Sequence, residues 1–249
     1  MTENNKELIN ATRAYFETLK MSGVHELVLP APAIKKNINP VPIQTVSVSE
    51  KTASPPLINE PLLDRKQALI ELKTTVQSCT KCGELASTRT QTVFGAGHVR
   101  AKLVFVGEAP GFDEDRQGLP FVGKAGQLLT KMIEAIGMTR KEVFICNVLK
   151  CRPPQNRNPK PEEVINCAPY LWAQLDVIKP KIICALGNFA AQNLLQTTKP
   201  ISQLRGSVHE TRGFRVICTF HPAYLLRNPD DKRKAWEDLK RVRQEVDQN

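Results

Sequence analysis

Leu103-Val-Phe-Val106, followed at once by Gly107-Glu-Ala-Pro-Gly111, is the stretch on which the fold turns. Four consecutive apolar residues with no polar alternation, closed by a Gly/Pro turn, read as a short strand buried on both faces, the habit of parallel sheets. The same pattern recurs in Lys181-Ile-Ile-Cys-Ala-Leu-Gly187 and in the runs 143–147 and 214–220. Helical patterns occupy the intervals at 125–136, 161–177 and 188–195, with further helices at 62–77 and near 232–246. Strands that alternate with helices predict an α/β protein with a parallel sheet covered on both sides. Ligands of such sheets bind beyond the carboxyl ends of the strands, so residues 107–126, 147–159 and 221–229 are the segments in which to seek function.

Outward from this core the composition changes. Residues 1–60 read as an N-terminal extension, and residues 61–249 as the globular domain. Within the extension Leu8, Ile9, Ala11, Tyr15, Phe16 and Leu19 give residues 6–22 an imperfect helical stripe whose partner the sequence does not name. A Pro-, Ser-, Thr- and Asn-rich tether is expected from residue 30 to 61. The chain carries 35 Lys and Arg against 25 Asp and Glu, a formal charge of +10, and in residues 1–60 six basic and six acidic side chains cancel. The excess therefore lies in the globular part, which points to a polyanionic partner such as nucleic acid. Apolar runs are strand-length and the N-terminus lacks the build of a signal peptide, so no membrane association and a cytoplasmic, nucleoid-associated location are expected.

That compartment keeps thiols reduced, and seven cysteines argue for ligands and core residues over disulfides. Cys79 and Cys82 form a C-x2-C pair, while Cys151 and Cys167 close the set from elsewhere in the chain. Such spacing suits a [4Fe–4S] cluster better than the two close pairs of a zinc ribbon, with zinc or unrelated thiols as alternatives. Cys146, Cys184 and Cys218 fall inside strand patterns and read as small core residues.

The loop after the first strand holds a decoy. Gly118-x4-Gly123-Lys124 resembles a Walker loop, but Ala125 stands where a hydroxyl must bind magnesium and Pro120 removes an amide donor, which excludes a nucleoside triphosphatase. The same loop presents Phe121, an aromatic able to stack on a flat ring. Asn147 ends the second strand and His221 follows the fourth, so both reach the ligand edge. A side-chain amide sets an acceptor beside a donor, matching the N3–H and O4 edge of uracil. In His221-Pro-Ala-Tyr-Leu-Leu-Arg-Asn-Pro229, Leu225 and Leu226 beside Arg227 read as a wedge for a DNA groove. Lys150, Arg152, Arg157 and Arg227 are expected to contact phosphates.

These motifs together, Gly107-Glu-Ala-Pro-Gly111, Pro120-Phe-Val-Gly-Lys-Ala-Gly126, Asn147, Lys150-Cys-Arg-Pro-Pro154, His221-Pro-Ala-Tyr-Leu-Leu226 and the four cysteines, resemble a family 4 uracil-DNA glycosylase over residues 65–245. The resemblance implies a three-layer α/β/α sandwich around a four-stranded parallel sheet and a structural [4Fe–4S] cluster on Cys79, Cys82, Cys151 and Cys167. It implies a monomer that acts on uracil-containing DNA, flips the base and hydrolyses its glycosidic bond. Position by position, Glu108 and Ala109 lie at the pocket floor, with the Ala109 backbone against uracil. Phe121 stacks on the base, Asn147 reads its edge, His221 faces O2, and Glu114 crowds C5 to exclude thymine. Ala109 stands where family 1 enzymes carry an Asp, so Glu108 or Glu114 partly replaces the water-orienting carboxylate, or stabilisation of the leaving group and sugar cation carries the reaction. Residues 147–167 hold no His, which predicts turnover in place of covalent trapping. The alternative is a non-catalytic iron–sulfur or zinc DNA-binding module.

Overall fold

The computed structural model describes residues 62–248. The helix expected at 6–22 and the tether that follows it lie outside the described residues. In chain order the elements are α1 (Leu62–Gln77), α2 (Gly83–Thr88), β1 (Ala96–Gly97), β2 (Leu103–Gly107), α3 (Phe112–Gln117), α4 (Lys124–Ala135), β3 (Phe144–Asn147), α5 (Pro161–Ile178), β4 (Ile182–Leu186), α6 (Gly187–Leu195), α7 (Ile201–Leu204), β5 (Val208–Thr211), β6 (Phe214–Thr219), α8 (Pro222–Arg227) and α9 (Lys232–Asp247). Single 3-10 turns lie at Pro154–Asn156 and Pro229–Asp231.

The sheet runs β1-β3-β2-β4-β6-β5. Its four central strands are parallel, with Val104 opposite Phe144 on one side of β2 and Ile183 on the other, and Ile183 opposite Val216. The expected four-stranded parallel sheet is therefore the middle of a mixed six-stranded one. β1 and β5 pair antiparallel at its edges. Neither edge strand was legible beforehand, because two residues of β1 and the mixed Val-His-Glu-Thr of β5 carry no apolar run.

Strand side chains alternate faithfully between two cores. Val104, Val106, Ile183, Ala185 and Val216 face Leu69, Leu171, Leu175, Ile178 and Leu194 on α1, α5 and α6. Leu103, Phe105, Ile145, Ile182, Leu186 and Ile217 face Leu129, Ile133, Leu239 and Val242 on α4 and α9. Every residue of β2, β3 and β4 is buried, as a sheet covered on both faces requires. Cys146, Cys184 and Cys218 sit in these cores, at 1% exposure or less. The connection from β2 to β3 runs to one side of β2 and that from β3 to β4 crosses to the other, so the carboxyl ends of these strands open a crevice.

Candidate active site

Three loops meet over that crevice. They line a cavity of about 490 Å³ with Glu108, Ala109, Gly111, Glu114, Phe121, Asn147, Tyr224, Arg227 and His221 among its walls. The segments singled out in the sequence are thus brought together, and each side chain is held by a local device.

Phe121 adopts φ +54°, a left-handed conformation that a bulky residue enters only at a cost of about 1–2 kcal/mol. Its neighbours hold it there. Arg140 donates through Nη2 to the Pro120 carbonyl at 2.8 Å, and Glu114 Oε1 accepts from the amides of Val122 at 2.8 Å and Gly123 at 3.1 Å. A side chain at Gly126 would collide with the Phe121 carbonyl, and one at Gly107 would lie 2.6 Å from Phe121 Cζ and against Asn147 Oδ1. These two glycines let the loop fold down onto the end of β2. Glu114 Oε2 also accepts from Gly111 N at 3.2 Å, so its carboxylate is engaged by three backbone amides. These bonds hold the Phe121 loop in place while Glu114 still lines the cavity.

Asn147 is 2% exposed at the end of β3. Its Oδ1 is buried without a hydrogen-bond partner, although a buried carbonyl oxygen left unpaired costs about 1–3 kcal/mol. A ligand that supplies an N–H would satisfy it. Across the cavity the His221 ring lies 5.6 Å from that of Phe121, centroid to centroid, inclined at 34°. Gly187, at φ +87°, gives His221 its room, since a Cβ there would fall 2.8 Å from His221 Cβ. His221 caps α8 by accepting the Ala223 amide on Nδ1 at 3.1 Å. A ring nitrogen that accepts carries no proton, so the neutral ring bears its hydrogen on Nε2. Burial, reinforced by the Arg227 charge, pushes the imidazole down to about 4. His221 is thus a neutral N–H donor at physiological pH. Glu108 is the opposite case: desolvation raises its carboxyl above the ordinary range, and among the described residues it has no ion pair or side-chain hydrogen bond.

Two of the expected DNA contacts, Lys150 and Leu225, are buried, and a third, Arg157, is engaged by carboxylates. Lys150 is 1% exposed, with Nζ donating to the Asn147 carbonyl at 2.7 Å and to Gln174 Oε1 at 2.6 Å. It braces the end of β3 against α5 and does not reach solvent. Arg157 joins Glu84 at 2.8 Å and Glu163 at 2.6 Å, and the Glu163 partnership, ahead of the Glu84 one, pushes its pKa further up; it links α2 to α5 at the wall of the same cavity. Leu225 is 1% exposed because His221-Pro222 starts a helix that turns it into the core, leaving Leu226, 44% exposed, to project alone beside exposed Arg227. Gln174, Arg140 and the three glycines escaped sequence reasoning; a Gly at a strand end where Val or Ile would suit the run was the available signal at Gly107.

Below the pocket Cys82, Cys151 and Cys167 gather around Leu85 and Leu149, with Ala109 packed against the same cluster, and Cys79 lies near enough to act on the thiols of Cys82 and Cys151. Burial raises the thiols of Cys82, Cys151 and Cys167, the last to about 11, and neighbouring sulfurs raise each further. N–H groups point at the sulfurs: Arg89 Nη1 at Cys151 Sγ, 3.1 Å; Lys150 N at Cys167 Sγ, 3.2 Å; and Asn166 Nδ2 at Cys82 Sγ, 3.7 Å. Such donors stabilise thiolates over thiols and fit a group that binds sulfur as an anion. Among the described residues no three Cys, His, Asp or Glu are close enough to hold a single metal ion. One tetrahedral zinc would need its sulfurs ~3.8 Å apart, whereas the four corners of an iron–sulfur cube spread them wider.

Residues 94–240 match the model of the uracil DNA glycosylase superfamily. The chain is 46% identical over 184 residues to the type-4 uracil-DNA glycosylase of Archaeoglobus fulgidus, an alignment that covers 71% of this chain and 92% of that one. It is 43% identical to the type-4 uracil-DNA glycosylase of Thermotoga maritima, over 72% and 95% of the two chains. Similarity to the type-5 enzyme of Pyrobaculum aerophilum is weaker, 32% over 59% and 71%.

Proposed function

This chain belongs to the uracil-DNA glycosylase superfamily, in its type-4 group, and from that premise we propose how the slot removes uracil from DNA. The basic domain holds DNA, and the uridine leaves the stack at a cost of a few kcal/mol, least at a mismatched U·G pair. Phe121 stacks on the everted base, and Asn147 accepts its N3–H on Oδ1 while donating to O4. The Oδ1 atom, buried with no protein hydrogen-bond partner, is the observation that carries this reading.

As the bond from N1 to the sugar breaks, its electron pair stays with uracil and spreads to O2, leaving an oxocarbenium-like sugar. His221 donates Nε2–H to O2, a preorganised contact worth ~3 kcal/mol. Water then adds to C1′ and loses a proton. Glu108, freed from protein partners and made more basic by burial, is the carboxylate suited to receive it. The uracil anion takes a proton from solvent, so the products are free uracil and an abasic site, with turnover in place of covalent trapping.

Cys79, Cys82, Cys151 and Cys167 would hold a [4Fe–4S] cluster, whose contribution is a structural cross-link among the turn 79–82, the loop after β3, and α5. Iron and sulfide analysis, a broad absorption near 400 nm and a fall in Tm on chelation test that assignment apart from activity. The function itself is tested with a duplex bearing one U·G pair. Alkali after incubation should cut at the uridine and free uracil should appear, while C- and T-containing duplexes stay whole. An intact uridine strand overturns the reading.

A further inference from the structure

Beside the slot stands an aromatic that neither the core nor the reaction described above uses. Phe112 opens α3 immediately after Gly111, a slot-lining residue, and is 51% exposed. A lone exposed phenyl is an ordinary surface feature. This one has two guanidiniums gathered about it, Arg152 at 5.0 Å and Arg116 at 5.6 Å from the ring centroid. Both lie over the ring at cation–π range, and the ring nonetheless stays half open. Arg152 is itself tethered, donating through Nε to Asn156 Oδ1 at 2.7 Å, and Asn156 also lines the slot. No carboxylate among the described residues forms an ion pair with either cation, although three acidic residues share α3: Glu114 and Asp115 spend their oxygens on backbone amides of Gly111, Val122, Gly123 and Thr90, and Asp113 lies toward Gly123. The outcome is a half-exposed phenyl ring with two arginines that make no ion pair among the described residues, beside the mouth of a site that takes an everted nucleotide.

We infer that Phe112, flanked by Arg116 and Arg152, is a stacking subsite for the nucleobase next to the uridine in an unpaired strand. This inference rests on the glycosylase reading. An aromatic face with basic neighbours is the arrangement by which proteins hold single strands, because any base offers a π face and each step along the strand brings a phosphate. In a duplex that neighbour stays stacked on its own helix, so the subsite favours uridine in single-stranded stretches. Leu226 and Arg227, on α8, act where a duplex must be opened; Phe112 acts where it is already open.

The test uses single-stranded oligonucleotides with 2′-fluorouridine, whose fluorine disfavours the sugar cation and blocks cleavage. The nucleotides flanking it carry either normal bases or abasic spacers. Fluorescence anisotropy should show Phe112→Ala weakening binding about 5- to 20-fold with normal neighbours and less than about twofold with spacers on the stacked side. Phe112→Trp should restore the difference and Phe112→Leu should not. Equal weakening of both oligonucleotides, or of neither, overturns the subsite. Uracil release from a U·G duplex is measured in parallel and should be little changed in Phe112→Ala. A wild-type protein that releases no uracil would overturn the glycosylase reading instead, whatever the anisotropy gives.

Discussion

Lowering the pH from 7 to 5 should leave His221 in its working state. A base with its pKa pushed down to about 4 is still ~90% neutral at pH 5, whereas one at the ordinary 6.5 would be ~3% neutral. The difference is large enough to read atom by atom. In protein labelled with 15N-histidine, long-range 1H–15N spectra should show Nδ1 unprotonated and Nε2 protonated at pH 7, as the Ala223 amide bond to Nδ1 requires. That pattern should persist to about pH 5. Single-turnover cleavage in a Glu108→Gln background, where the raised carboxyl no longer titrates, should change by less than about 1.2-fold over the same range. Stability follows with a definite sign. The unfolded chain takes up the proton near 6.5 and the folded one only near 4, so folding gains stability above 6.5 that is lost as pH falls toward 4. The amount is about 3 kcal/mol, the equivalent of that separation. A midpoint near 6.5, or a proton found on Nδ1, would refute the neutral-donor assignment.

Asn147→Asp should lower uracil release and admit cytosine, because a carboxylate lacks the donor that fits O4; parallel loss with no activity on cytosine in deoxycytidine oligonucleotides counts against base reading. Gly126→Ala drives a methyl into the Phe121 carbonyl and should destabilise the loop by about 1–3 kcal/mol, seen as a lower Tm with a raised KM. Lys150→Met strips two hydrogen bonds from the Asn147 carbonyl and Gln174, and should cost about 2–4 kcal/mol in denaturant unfolding, with kcat falling more than KM rises. An unchanged unfolding midpoint would mean that the buried ammonium contributes nothing net.

The parallel core was legible because each of its strands is a short apolar run between turn residues, and burial on both faces removes the ambiguity of register. β1 and β5 were hidden because edge pairing is decided by where neighbouring strands end and not by their own composition. At the site, Phe121, Asn147 and His221 were readable as residues at strand ends, for the ligand edge of a parallel sheet follows from chain direction alone. The roles of charged residues were not. Lys150 and Arg157 look like phosphate contacts in one dimension, yet one lies under α5 and the other between two glutamates, and only the fold sets which cations face solvent. Leu225 and Leu226 separate for a related reason: Pro222 starts a helix, and helical geometry sends adjacent side chains to different faces.

In the proposed reaction an aromatic ring, an unpartnered amide oxygen and a neutral imidazole meet a single pyrimidine in one slot. Titration of free uracil into labelled protein measures that directly. The Asn147 side-chain amide and His221 Nε2 resonances should shift together along one saturation curve, with cytosine leaving both in place. Uracil that shifts neither, or cytosine that shifts them equally, would contradict it.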